Sequence, residues 1–501
     1  MDAEIRTAAG WVRGGWENEI AVFRGIPYAP PPFGARRFQA PAELEGWDGV
    51  RAAVAFGSPV PQAGHSGSVM RAAGGVVEDG SDDCLTVNVW SPELGRVGMP
   101  VMVWIHGGAY LEGSSGDPHV DGARLAAAGV VVVSIEYRTG FEGFAHIAGA
   151  PDNRGILDQI AALHWTRRNI DRFGGDPGNV TVFGQSAGAG CIAALISMPL
   201  AAGLFRRAIA QSVPGTFFAP DLAAAISGVI TGRLGARAEV EDLASVPPGA
   251  LVDATQALIA IMPEFAEQWG PMALTPTPFS PVLDHDRLPR APWQALADGA
   301  ARGIELLVGH TRDEYRLFVA DSDRECTGEQ LAETIARLRG VPGDGGYLAA
   351  YPDATAARLH EIVNADWLFR MPSLHLAQAQ HVGGGRAWMY ELCWGYNRDQ
   401  EASHSLDFLL VFGTLTAADI EAHPSAYRNA VAEAVEVGER MRADWVRFAR
   451  SGHPGWGEFD ARHRCTRVYS AQPYDGAYPE ERSRWIWRSH RFKALRVCSA
   501  E

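Results

Sequence analysis

The sequence predicts an α/β protein with a mostly parallel central sheet and helices on both faces. Three observations predict it. Short, continuous apolar runs at 101–105 and 129–137 have the composition of strands covered on both faces. Ala-rich and amphipathic stretches of helical length separate such runs, the alternation that a parallel sheet with crossover helices requires. At residues 173–190, FGGDPGNVTVFGQSAGAG, a β-branched apolar run passes directly into a small-residue stretch across Gly184-Gln185-Ser186-Ala187-Gly188.

Residues 3–25 alternate polar and apolar positions around Gly14-Gly15, the pattern of a small antiparallel hairpin turning at those glycines. Residues 30–41 are too rich in proline for a helix or a central strand. Residues 60–82 are rich in Gly, Ser and Ala with few large apolar groups, the composition of a mobile surface loop able to lie over a site. Strands are expected at 85–90, 101–105 and 129–137. A helix is expected over 153–172, where Ile156, Ile160 and Leu163 share a face. The strand at 180–183 and a buried helix at 187–198 follow. Further strands are expected at 207–211, 304–308 and 387–392, separated by helical stretches that include 220–262 and 329–382. An amphipathic helix at 426–450 meets a regular stop, Gly452 with Pro454 beyond it. With no repeat, no low-complexity tract and no linker, residues 1–501 are expected to form one elaborated domain. It would carry a small N-terminal β hairpin and helical insertions near 214–300 and 318–385.

Composition excludes several classes. Of 501 residues, 47% are hydrophobic and 21% charged, ordinary for a soluble globular protein. The net charge of −15, without any Lys/Arg run, argues against a nucleic-acid or anionic-lipid partner. No apolar stretch is long enough to span a bilayer. The opening MDAEIRTAAG carries Asp2 and Glu4 where a secretion signal needs positive charge, so a cytoplasmic protein is expected. The six cysteines lie far apart with no C-x-x-C pair. That argues against a zinc or dithiol site and for reduced, mostly buried thiols. Fifteen tryptophans suffice to line an aromatic gorge, but none is assignable to one.

The chemistry gathers around Ser186. G-x-S-x-G between a strand and a helix is a nucleophile elbow, a turn so tight that a Cβ at either flanking glycine would strike a neighbour. It lifts the serine hydroxyl to the amino end of a helix, where backbone N–H groups favour negative charge. A serine hydroxyl needs a base within hydrogen-bond reach, a carboxylate to orient that base, and donors for the developing oxyanion. His106-Gly107-Gly108-Ala109 directly follows the expected strand 101–105, and the N–H of Ala187 follows the nucleophile. Together these supply oxyanion donors, and His106 is expected to fix the loop. Asp313 and Glu314 both stand just past the strand at 304–308, where an orienting carboxylate would sit. In such sheets the base follows the acid in the chain. Position then favours His404, in Ser403-His404-Ser405-Leu406-Asp407-Phe408, after the strand at 387–392.

Taken together, these segments resemble the type-B carboxylesterases, the cholinesterase-like branch of the α/β-hydrolases. FGGDPGNVTVFGQSAG matches that family's serine motif, and DDCLTVNVWSP at 82–92 its second motif. FRGIPYAPPPFG, the H-G-G-A turn, NRGILDQ and RDEYRLF occur in family order, and the similarity covers roughly residues 4–490. The resemblance implies an α/β-hydrolase fold, a nucleophile at Ser186, an acid at Glu314 rather than Asp313, and a base at His404 in HSLDFLLVF. It also implies oxyanion donors at Gly107, Gly108 and Ala187, and a supporting serine at Ser212 in AIAQSV. Gln185 stands where many members carry Glu. Tyr315 follows the acid where Gly is common, and Phe408-Leu409-Leu410 replaces L-P-F. Secreted relatives bridge the cysteine of the second motif to an upstream cysteine. Cys84 is the first cysteine here, which again favours a reducing compartment.

The expected activity is hydrolysis of small carboxylic esters through an acyl-enzyme, without metal or cofactor, on a small-molecule substrate. Cleavage of an amide, carbamate or polyester by the same groups is the nearest alternative. An adhesion protein of the same family would lack the nucleophile. Oligomeric state is not legible in the sequence.

Overall fold

Residues 3–63, 83–319, 326–338 and 345–498 are described by a computed structural model. Thirteen strands among them join in one sheet. They are β1 (Ala3–Arg6), β2 (Trp11–Glu17), β3 (Ile20–Pro27), β4 (Val50–Ala52), β5 (Thr86–Ser91), β6 (Met99–Ile105) and β7 (Val131–Ile135), then β8 (Gly175–Gln185), β9 (Arg207–Gln211), β10 (Glu305–Thr311), β11 (Arg386–Leu392), β12 (Cys465–Tyr469) and β13 (Tyr474–Ala477). The order across the sheet is β1-β2-β3-β5-β7-β6-β8-β9-β10-β11-β12-β13, with β4 beside β2. From β7 to β12 every pairing is parallel, and the outer pairs at both edges are antiparallel apart from β2 with β4.

The apolar runs work because side chains alternate across a strand. In β6, Val101, Val103 and Ile105 enter one apolar core, while Met102 and Trp104 enter the other. In β7, Val131, Val133 and Ile135 face the first core and Val132 the second. The sheet is therefore buried on both faces. Helix Arg154–Asn169 packs on the first side and helix Ala430–Ser451 on the second. The latter ends at Gly452, whose φ of 74° closes the helix with a bond from its N–H to the Phe448 carbonyl.

Several boundaries differ from the sequence reading. Gly14 and Gly15 lie inside β2, and the chain turns at Asn18 and Glu19, both at positive φ. Gly14 is glycine because a Cβ there would stand 2.3 Å from the Val22 carbonyl oxygen on the neighbouring strand. The helix expected over 153–172 stops at Asn169 and tightens into a 3-10 turn, Ile170–Phe173. The strand entering the elbow is longer than 180–183, beginning at Gly175. The edge pair β12–β13 was not foreseen, because CTRVY and YDGA lack an apolar run. All six cysteines are free, but only Cys84 and Cys191 are fully buried, fewer than expected. Of the segment 60–82, residues 64–82 lie outside the described residues. Among the described residues no helix is long and apolar enough to cross a membrane.

The carboxyl ends of β6, β8, β9 and β10 converge. Ile105 pairs with Gly184, Gln185 with Gln211, and Gln211 with Gly309. The chain between β9 and β10 and between β10 and β11 is largely helical, and it rises over those ends.

Candidate active site

At the end of β8 the chain reverses into helix Ala187–Leu195 through Ser186, which holds φ 56° and ψ −124°. Such a conformation is strained for a residue with a Cβ and persists only where its surroundings enforce it. Here the Ser186 N–H donates to the Gln211 carbonyl at 2.9 Å and its own carbonyl accepts from Gly190 at 2.9 Å. The flanking glycines are dictated by close approach. A Cβ on Gly184 would lie 2.5 Å, and one on Gly188 2.1 Å, from the Ile105 carbonyl oxygen.

The carboxylate pair after β10 divides cleanly. Glu314 is fully buried and meets His404 Nδ1 through Oε2. Its Oε1 accepts from the Ser212 hydroxyl at 2.6 Å and from the Thr311 N–H at 2.9 Å. Burial alone would raise its pKa. The His404 ring and the Ser212 hydroxyl outweigh that and hold it below the ordinary glutamate value. Asp313 faces away and accepts from Arg312 Nε at 3.0 Å and Arg358 Nη2 at 2.7 Å. It is likewise kept low against its burial by those two guanidinium groups. His106 stacks on Tyr137 at 4.2 Å, and burial pushes its pKa down to about 4, as suits a group that fixes the loop.

His404 lies in the loop before helix Leu406–Phe412 and shares a cavity of about 150 Å³ with Ser186, Gly108, Ala187 and Gln185. Gly107 is not among the residues lining it but lies directly beneath, since a Cβ there would come within 3.3 Å of the Ser186 Cβ. Gly108 has φ +113° and turns the chain so that Leu111 and Glu112 donate back to its carbonyl at 2.9 and 3.0 Å. No described backbone acceptor takes the N–H groups of Gly107, Gly108 or Ala187. The structure thus brings Ser186, Glu314, His404, Ser212, Gly107, Gly108 and Ala187 to one place. The Ser186 hydroxyl, however, makes no hydrogen bond to any described residue, and His404 Nε2 pairs instead with the Gln185 amide nitrogen at 3.0 Å. A larger cavity of about 670 Å³, lined by Arg167, Val180 and Arg206 among others, opens at the amino ends of the strands, away from these groups.

A model of the carboxylesterase family matches residues 1–341. The para-nitrobenzyl esterase of Bacillus subtilis (strain 168) is 37% identical over 483 residues, covering 93% of this chain and 95% of that protein. The chain belongs to the carboxylesterase family. The fumonisin B1 esterase of Sphingopyxis macrogoltabida is 35% identical over 90% of this chain and 82% of its own length. A solved structure of PNB esterase superposes with a TM-score of 0.84 at 34% identity, covering 97% of this chain and 99% of that one. The fold is that of the α/β-hydrolases, and the activity is hydrolysis of carboxylic esters.

Sequence reasoning missed much of the wall around the serine of this carboxylesterase. Phe369 places its ring 4.2 Å from the His404 ring, and Phe318 places its ring at 5.4 Å. Phe369 comes from a π-helical turn, Asp366–Arg370, and Phe318 from helix Arg316–Val319, so neither has a local motif. Thr216, Thr275 and Thr277 line the cavity as well. None of the fifteen tryptophans does so among the described residues, so the aromatic groups at this site are Tyr110, Phe318 and Phe369. The Asp407 of HSLD did carry a sequence signal. Its buried carboxylate accepts from Tyr390 at 2.6 Å, and burial raises its pKa despite that bond.

Proposed function

We propose that Ser186 is the nucleophile of a broad small-ester carboxylesterase, with His404 as its base and Glu314 as the carboxylate that orients the base. The observation that carries this reading is the run Ser212–Glu314–His404, buried except where the imidazole meets the cavity beside Ser186. Glu314 takes the Nδ1–H, which leaves the Nε2 lone pair toward the cavity. Serine Oγ attacks the ester carbonyl as its proton passes to Nε2, and the carbonyl π electrons move to oxygen. The N–H groups of Gly107, Gly108 and Ala187 stabilise that oxyanion. His404 then protonates the leaving alkoxide, and the acyl-enzyme is released by water that His404 activates in turn. Ser212 supports Glu314 through its hydroxyl. The chemistry needs no metal or cofactor.

A cavity of about 150 Å³ lined by Thr216, Thr275 and Thr277 and by Leu317, Phe318, Leu368 and Phe369 favours short acyl groups. The free state of all six cysteines supports a cytoplasmic setting. One continuous sheet supports a single domain across residues 1–501. The test is Ser186→Ala, assayed by nitrophenol release from short-chain nitrophenyl esters. kcat is expected to fall by ~10⁴-fold or more at an unchanged circular dichroism spectrum. A folded variant that still turns over would refute the assignment.

A further inference from the structure

The geometry points to Gln185 as a positioning residue that occupies the Nε2 lone pair of His404 between turnovers and must let go of it at each one. The inference rests on the reading of His404 as the base. Gln185 is the last residue of β8, one position before the nucleophile. It is buried, and it lines the cavity shared by Ser186 and His404. Its side chain spans the gap between the oxyanion turn and the base. The amide oxygen lies against Gly107, 3.3 Å from where a Cβ would be, and the amide nitrogen sits 3.0 Å from His404 Nε2.

Chemistry fixes which amide atom faces the ring. Nδ1 points at the Glu314 carboxylate, which only accepts, so Nδ1 carries the proton. In the neutral ring Nε2 is then an acceptor, and the Gln185 NH₂ group donates to it. That lone pair is the one that receives the Ser186 proton. An amide N–H cannot be deprotonated there, so the contact occupies the base without any chemistry. When Nε2 takes the serine proton, the NH₂ group faces an N–H and the bond becomes a repulsion. A half-turn about the terminal amide torsion, which has two broad wells, presents the amide oxygen instead. Gln185 thus donates to the neutral ring in one orientation and accepts from the imidazolium in the other.

The other ionisable groups around the ring are few. Glu314 faces Nδ1 from the turn after β10, and Asp407 approaches from helix Leu406–Phe412, bonded to Tyr390 of β11. Glu112 lines the same cavity from the oxyanion turn. Helix Arg316–Val319 and the π-helical turn contribute only the Phe318 and Phe369 rings to the imidazole. His310 and the Asp313 cluster act on Glu314 and beyond it. Gln185 is therefore the neutral group on the Nε2 side, where a carboxylate would stabilise the imidazolium.

Two variants test this, with His404→Ala as the control for the underlying reading. In Gln185→Glu, the acid limb of kcat/KM for a non-titrating ester is expected to move up by about one pH unit or more, because an anion beside Nε2 favours the protonated ring. In Gln185→Met, which fills similar volume without a donor, the ¹⁵N resonance of neutral His404 Nε2 is expected to move toward that of an unbonded ring nitrogen. This reading stays available if the glutamate variant fails to fold. If His404→Ala is inactive while the acid limb and the Nε2 resonance stay at their parental positions, the role of Gln185 is refuted and the base stands. If His404→Ala turns over normally, it is the assignment of the base that falls.

Discussion

Asp313 and Glu314 are adjacent, equally charged and both buried, yet the backbone sends them to different partners: Glu314 to His404 and Ser212, Asp313 to Arg312 and Arg358. Their substitutions should separate accordingly. Glu314→Gln is expected to lower kcat by ~10²–10⁴-fold with the fold intact, since an amide cannot stabilise the imidazolium formed as Ser186 loses its proton. Asp313→Asn is expected to leave kcat near normal but cost ~1–3 kcal/mol of stability by weakening two ion pairs. Paired measurements of kcat and the urea midpoint check both; the opposite pattern would move the triad to Asp313. A second residue-scale prediction concerns Glu136, just past β7. Burial raises its carboxyl to about 7, although the Ser115 hydroxyl and N–H and the Ser114 hydroxyl all donate to Oε2. Because the folded value exceeds the unfolded one, stability is full below the unfolded value of 4.5 and declines as pH rises toward 7. The loss above that window is about 3 kcal/mol. In Glu136→Gln that dependence disappears, so the urea midpoint of the variant should gain on the parent from pH 5 to about pH 7 and level off above it. A constant difference would count against a protonated Glu136.

At the scale of the element, the turn at Ser186 depends on two residues that have no side chain. Gly188→Ala would drive a methyl group to 2.1 Å from the Ile105 carbonyl oxygen, so β6 or helix Ala187–Leu195 must shift. A loss of ~1–3 kcal/mol is expected, with a fall in kcat larger than any change in KM. Thermal melting and steady-state kinetics on the same preparation check it. This element was legible in the sequence because VTVF and the small residues after Ser186 each state their structure locally. The strands β6 and β7 were legible for the same reason. Gly14-Gly15 misled, because glycine marks a close approach of neighbouring strands as readily as it marks a turn. Position alone left Asp313 and Glu314 open as the orienting carboxylate and the family resemblance implies Glu314; in the structure Glu314, not Asp313, meets His404. The resemblance places position 185 near the base, with Gln where many members carry Glu, but the bond itself, between residues 219 positions apart, had no local signal. Phe318 and Phe369 were equally invisible. They reach His404 only because the chain between β10 and β11 folds back over the sheet.

Across the whole molecule, two apolar cores press on opposite faces of one sheet, and both take residues from β6 and β7. Neither core can melt without unpairing strands that serve the other. Unfolding in urea is therefore expected as one transition, with tryptophan fluorescence and far-ultraviolet circular dichroism coinciding. Two resolved transitions would show that the helices between β9 and β11 unfold separately. The convergence of the strand ends also divides responsibility for the reaction. Ser186, Glu314 and Ser212 all stand on or just beyond the ends of parallel strands. Other cavity-lining groups, Thr275, Thr277, Leu317 and Phe369, ride on the intervening chain. A change in the long excursions can thus reshape the cavity without touching the pairing that holds the strand ends in register.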